Sequence, residues 1–182
     1  MVTHSAGLVA WTRHRGADPA GPELRVFLIH MGGPFWARKE AGAWSVPKGI
    51  HDADEEPAAA ARREFTEEVG VSAPEGDLLD LGTVRSGAKQ IRAFAVEADP
   101  GLAFRASNTF TLEWPPRSGR TEEFPEADRA EWFGLAQARE RIVRSQLPFL
   151  DRLAAAVGGP TVERPAQHPG AGSEESGGAS RS

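Results

Sequence analysis

The chain contains no cysteine, which excludes disulfides, thiolate nucleophiles and cysteine-based zinc sites and fits a reducing, cytoplasmic setting. It has no uninterrupted apolar run approaching the length of a membrane span. The opening "MVTHSAGLVAW" has no basic segment leading into a long apolar stretch, so no signal peptide is expected. Positive charge is not in excess either. The formal net charge is −5, which argues against a nucleic-acid polymer or a membrane surface as partner. An acidic protein that handles phosphates therefore needs a cation to mediate. No internal repeat is found, so no solenoid or propeller is expected.

The sequence has 182 residues, 40% of them apolar and 26% charged, enough for one domain with a genuine core. From Gly158 onward the text "GGPTVERPAQHPGAGSEESGGASRS" is rich in Gly, Ser and Pro and nearly free of large apolar residues. It is expected to be a disordered tail over 158–182, leaving a folded domain over 3–157.

Strand-like runs occur in "AGLVAW", "LRVFLIHM", "LLDLGTVRS", "KQIRAFAVEA", "NTFTLEW" and "RAEWF". A short strand is expected around Trp44 to Val46, and "RGADPAGPE" reads as a turn-rich loop. A helix is expected from Asp54, as N-cap, to Val69, with Gly70 just past its end. "LAQARERIVRSQ" and "PFLDRLAAAV" read as a C-terminal helix pair broken at Pro148. This order suggests an α+β fold, with a mixed sheet covered on both faces.

The most informative stretch is "REFTEEVG". At 3.6 residues per turn, Glu64, Glu67 and Glu68 share one helix face beside the small Ala60, while Ala58, Phe65 and Val69 form an apolar stripe opposite. Like charges at these spacings cost a few tenths of a kcal/mol per pair. Acidic side chains in a last turn also oppose the helix dipole by roughly 0.3–1 kcal/mol each. An exposed acidic face with Arg63 paired to Glu67 would explain the charges blandly. Ligation of a hard divalent cation such as Mg²⁺ or Mn²⁺ explains them functionally, because oxygen-only ligands suit those ions.

The wider spacing separates these readings. "GIHDADEEPAAAARREFTEEVGV" fits Gly-x5-Glu-x7-Arg-Glu-U-x-Glu-Glu-x-Gly-U at every defined position, U being a bulky apolar residue: Gly49, Glu55, Arg63, Glu64, Phe65, Glu67, Glu68, Gly70 and Val71. The pattern resembles the signature of the Nudix hydrolase family. The resemblance implies an α/β/α sandwich around a mixed sheet, and hydrolysis of a nucleoside diphosphate linked to another moiety with Mg²⁺ or Mn²⁺. By position, Glu64, Glu67 and Glu68 resemble the family's metal ligands, and Gly49 the residue whose carbonyl joins them. Arg63 resembles the residue that orients the catalytic carboxylates, and Glu55 a supporting residue near the loop. Water attack on a pyrophosphate does require neutralised phosphoryl oxygens and an activated, in-line nucleophile. For the general base, a motif glutamate competes with later residues, Glu113, Glu122, Glu123, Glu126 and Asp128, of which Glu126 is the choice.

Preceding the signature, "WSVPKG" resembles the branch that includes diadenosine tetraphosphate hydrolases, in which the lysine, here Lys48, sits beside the polyphosphate. The downstream run "SNTFTLEWPPRSGRTEEFPEADRAEWF" also resembles bacterial predicted nucleoside triphosphate pyrophosphohydrolases. Arg117 and Arg120 in it are candidates to grip phosphates, and Phe35, Trp36, Trp44 and Trp114 are candidates to stack on a base; Trp132 is expected in the core, and His51 as a solvated loop residue. The expected substrate is a dinucleoside polyphosphate. A triphosphate pyrophosphohydrolase that sanitises the nucleotide pool, or a non-catalytic nucleotide-binding module, are the alternatives. A monomer or a homodimer fits equally.

Overall fold

The computed structural model describes residues 2–14 and 23–158. The loop expected at 15–23 and the tail expected from 158 therefore lie, apart from their bordering residues, outside the described part.

Two long strands, β1 (Thr3–His14) and β2 (Glu23–Met31), form the centre. They are followed by β3 (Trp44–Ser45), β4 (Lys48–Ile50), helix α1 (Pro57–Val69), β5 (Leu79–Ser86) and β6 (Lys89–Glu97). Next come β7 (Thr109–Glu113), β8 (Thr121–Pro125), β9 (Ala127–Gly134), α2 (Leu135–Arg141), a 3₁₀ turn at Arg144–Gln146 and α3 (Leu147–Val157). The main sheet runs β3-β2-β1-β6-β5, with β4 beside β1 and β9 beside β2. Only β1 and β6 pair in parallel among the named strands, so the sheet is mixed. β7 and β8 form a separate hairpin.

β1 and β2 are buried on both faces, as strands between two layers must be. Ala6, Leu8, Ala10, Phe27 and Ile29 pack with Ala61, Phe65 and Val69 of α1. Val9, Val26 and Leu28 on the other face pack with Phe149, Leu150 and Leu153 of α3. The expected α+β sandwich is what forms.

α1 begins at Pro57, with Glu56 as N-cap accepting from Ala59 N at 2.9 Å, not at Asp54. Pro57 fits the first helical turn, where its missing N–H leaves no bond unmade, and it holds the preceding residues outside the helix. The helix ends at Gly70, whose φ of 77° is the left-handed conformation that favours glycine. The core stripe is rotated from the expected one. Ala60, Ala61, Phe65 and Val69 are buried together with Glu64 and Glu68, and Ala58 is only half-buried. Two of the carboxylates thus lie at the core's border rather than opposite it.

The C-terminal pair breaks earlier than Pro148. Ile142 leaves the helix to make a parallel bridge with Trp44, and Val143 N donates to Trp44 O at 2.8 Å. Pro148 instead lies in the first turn of α3, a position compatible with its ring. β4 and β8 were not anticipated as strands.

Trp44 corrects another expectation. It is fully buried, edge-on to Phe133 at 4.7 Å and to His30 at 5.1 Å, with Nε1 donating to Glu40 at 3.2 Å. It is a core residue and offers no face to a base. Trp132 is partly buried on Phe27 at 5.2 Å, as expected. Because Trp44 joins β3, β9 and the α2 exit, Trp44→Ala should lower the unfolding free energy by about 3–5 kcal/mol in denaturant titration.

Candidate active site

The register of β4 on β1, with Gly49 opposite Ala6 and Lys48 opposite Gly7, lays residues 48–50 over the glutamate face of α1. The approach is so close that a Cβ on Gly49 would lie 1.9 Å from Glu64 Oε2. Any side chain at position 49 would displace that carboxylate. Glu68 Oε2 accepts from Lys48 N at 2.7 Å.

Glu64 is 8% exposed and Glu68 7%. Burial, which disfavours the charged form, pushes the Glu68 carboxyl up to about 7 despite the opposing attraction of Lys48. Burial also raises Glu64, against the hydrogen bond from Arg63, and the Glu126 charge adds to the upward push on both. Arg63 is the organiser behind this row. Its Nε and Nη2 donate to the two carboxylate oxygens of Glu55 at 2.9 Å each, and its Nη1 donates to Glu64 at 2.6 Å and lies 3.5 Å from Glu67. The hydrogen bond to Glu55 is the main cause holding the Arg63 guanidinium charged, and the same bond lowers Glu55.

A cavity of about 520 Å³ opens over these groups. Glu64, Glu67, Glu68 and Glu126 line it together with Gly49, Lys48 and Lys89, and Trp36 and Phe110 contribute apolar wall. Trp36 carries the Lys39 ammonium 4.8 Å from its ring centroid. Glu126 reaches the cavity through main-chain bonds at the foot of the β7–β8 hairpin. Its N donates to Asn108 O at 2.8 Å and its O accepts from Gly32 N at 2.9 Å. The rival carboxylates are occupied or remote: Asp128 bonds His30 Nδ1 at 2.8 Å, Glu113 accepts from Gly119 N at 2.8 Å, and neither lines the cavity.

Arg117 and Arg120, the candidates to grip phosphates, lie at the far turn of the hairpin and line no part of this cavity. His51 is half-buried beside Asp52 and His4, outside the cavity. Sequence reading missed Lys89, Asn108 and Phe110. Asn108 donates from Nδ2 to Glu67 Oε2 at 3.4 Å and from its backbone N to Glu67 O at 3.1 Å. None of the three stands near the signature, and only the fold brings them to it.

The donor set fits a hard divalent cation in kind, being all oxygen, and the Glu64 carboxylate packs directly against the Gly49 backbone. As the side chains stand, no group of three or more His, Asp or Glu among the described residues is arranged to hold a metal. Glu64 and Glu68 are turned to Arg63 and to the Lys48 amide, so ligation would exchange those bonds for the cation.

Oxygen donors and two lysines share one cavity, a combination whose chemistry suits a hard cation together with phosphate groups. The chain belongs to the Nudix family: the NUDIX domain model matches residues 15–153. It is a hydrolase of pyrophosphate bonds, a chemistry for which this family generally uses divalent metal ions. No curated protein matches the chain. Among solved structures, a MutT/Nudix family protein from Listeria innocua aligns with TM-score 0.57 and 19% identity over 86% of this chain and 94% of that one. An Ap4A hydrolase from C. elegans aligns with TM-score 0.53 and 19% identity, covering 86% and 98%. The NUDIX domain of Shewanella oneidensis NrtR, solved with ADP ribose, gives TM-score 0.54 and 15% identity over 86% and 89%.

The closeness of Gly49 to Glu64 makes a direct test. Gly49→Ala should keep its circular-dichroism spectrum while losing at least half of the Mg²⁺-induced rise in melting temperature, since binding to the folded state alone raises stability. Equal Mg²⁺ responses in both proteins would show that Glu64 and Gly49 hold no cation.

Proposed function

We propose that this chain hydrolyses a phosphoanhydride bond in dinucleoside polyphosphates such as diadenosine tetraphosphate, with Mg²⁺ or Mn²⁺ as cofactor. The observation that carries the reading is the single cavity in which four carboxylates meet Lys48 and an aromatic wall. Glu64, Glu67, Glu68 and the Gly49 carbonyl would hold the cation. When bound, it supplies Lewis-acid neutralisation of the phosphoryl oxygens and lowers the cost of generating the nucleophile.

The chain's own residues do the rest. Arg63, fixed bidentately by Glu55, holds Glu64 in place and offsets repulsion along the row. Lys48 brings a point charge to the phosphate chain, whose negative charge the carboxylates would otherwise repel. Glu126, on the cavity wall and free of a side-chain hydrogen bond among the described residues, is placed to accept the proton from the attacking water. Trp36, with one side covered by Lys39, turns toward the cavity as a stacking surface for a base. The resemblance of "WSVPKG" to diadenosine tetraphosphate hydrolases and the similarity in fold to the C. elegans enzyme support the choice of substrate.

Chromatography of products formed with Mg²⁺ tests the reading. Diadenosine tetraphosphate should yield mononucleotides, and no cleavage of any dinucleoside polyphosphate would overturn it. Nucleoside monophosphate and pyrophosphate released preferentially from triphosphates would assign the chain to nucleotide-pool sanitation instead. Glu68→Gln should lose turnover by roughly 10²-fold or more with its melting temperature in metal-free buffer maintained or raised, because a buried charge is removed. Glu126→Gln should lose roughly 10²–10⁴-fold in kcat, the range for general-base catalysis.

A further inference from the structure

The cavity does not account for an exposed aromatic and cationic patch beside it. Phe35 is 53% exposed. Its ring meets Trp114 edge-to-face, with centroids 5.3 Å apart at 86°. Trp114 N donates to Arg120 O at 2.9 Å across the hairpin, so Arg120 is held beside the pair. Arg117 sits in the same turn with φ of 64°. Neither guanidinium has an ion pair or hydrogen bond among the described residues. The nearby Glu113 carboxylate is taken up by Gly119 N, and Glu123 by Thr109 Oγ1.

This patch is tied to the cavity through its neighbours in the chain. The segment that exposes Phe35 supplies Trp36 to the cavity wall, and the strand that leads to Trp114 supplies Phe110. Trp114 stands four positions on from Phe110, just past the end of β7, a span of about 13 Å at the usual strand rise. The cavity itself is of the size that holds one small ligand. A substrate with two nucleosides at the ends of a polyphosphate must extend beyond it. What the hairpin adds outside it is the Phe35–Trp114 ring pair and two arginines of the same turn without ion pairs among the described residues, a chemistry that suits a base and the last phosphates before it.

We propose that Phe35, Trp114, Arg117 and Arg120 form a distal subsite for the second nucleoside of a dinucleoside polyphosphate, and its neighbouring phosphate. The inference rests on the proposed substrate class and makes the hairpin the element that selects two-ended over one-ended nucleotides.

The test compares diadenosine tetraphosphate with ATP. Binding is measured by titration calorimetry with Mg²⁺ in a Glu126→Gln background, which slows cleavage of the nucleotides and keeps every proposed cation ligand, and KM and kcat are measured in the parent enzyme. Phe35→Ala, Trp114→Ala and the double change Arg117→Ala, Arg120→Ala should each reduce the ratio of diadenosine tetraphosphate to ATP affinity about tenfold, within the range of one lost base stack. The change should appear in KM, with kcat altered less than about twofold, because the contact lies away from the reacting atoms. Phe35→Ala removes an exposed ring and guards against misfolding of the hairpin. An unchanged ratio in both aromatic variants, or equal losses for both ligands, overturns the subsite. If the parent does not cleave diadenosine tetraphosphate yet the variants lose selective binding, the subsite stands and the proposed reaction fails. Cleavage with an unchanged ratio leaves the reaction and removes the subsite.

Discussion

Four carboxylates sharing one cavity are the constraint on which the rest of this structure turns. Two of them, Glu64 and Glu68, are nearly buried, and taking charged groups out of water is costly unless they are hydrogen-bonded and paired. The fold meets that demand with the parts nearest to hand. Glu68 takes the Lys48 amide, and Glu64 takes Arg63, whose remaining donors are locked on Glu55. The partners come from β4, from the loop before α1 and from the helix itself. A signature that looks like a list of separate residues is therefore one hydrogen-bonded object. The raised carboxyls of Glu64 and Glu68 show that these bonds do not fully offset burial. A cation beside them would favour the charged form that burial disfavours, since an opposite charge stabilises a carboxylate.

The end of α1 extends the same economy. Its last carbonyls have no helical partners, and the segment that follows β6 supplies them: Arg105 N donates to Val69 O at 2.9 Å and Asn108 N to Glu67 O at 3.1 Å. Gly70 permits this, because a Cβ there would meet the Ala106 backbone at 2.6 Å. From Asn108 the chain enters the hairpin, and it returns at Glu126, whose amide bonds Asn108 O. Satisfying the helix terminus thus fixes the foot of the hairpin, and the foot carries the fourth carboxylate. Chemistry and capping share residues, which is why Glu126 can stand across from Glu67 although 59 positions apart in a sequence where nothing local links them.

The chemistry was legible in the sequence because it is local. Gly49, Glu55, Arg63 and the three glutamates lie within one loop and one helix, so spacing and period alone place them together. The strands of the sheet other than β4 were legible for the same reason, as short apolar runs. Long-range pairing was not. Ile142 continues an apolar helical pattern but is drawn out of it to bridge Trp44, a tertiary override of propensity. β8, "TEEFP", has two glutamates and a proline and reads as loop; it is a strand because β7 pairs with it along Thr109–Glu113. Trp44 looked like a loop aromatic because Gly and Pro surround it, yet its ring is the meeting point of β3, β9 and the α2 exit. Lys89 has no motif at all, and reaches the cavity only through the parallel register that sets it beside Thr3.

Fold and signature leave the leaving group open, since sites are grafted onto folds. The solved structures make the point: similar folds carry names as different as Ap4A hydrolase and a NUDIX domain holding ADP ribose. What distinguishes ligands must then lie in segments that the signature does not constrain. On the proposed reading those segments are residues 33–39 and the β7–β8 hairpin, which share the cavity wall through Trp36 and Phe110. Phe110 and Phe124 face Gly33 and hold the two segments against each other. On that reading, a change in either would alter which end of a nucleotide is gripped without disturbing the carboxylate row. The separation is physical: burial and charge pairing constrain the carboxylate face, whereas the proposed recognition face is built of partly exposed rings and exposed arginines whose replacement costs the fold little.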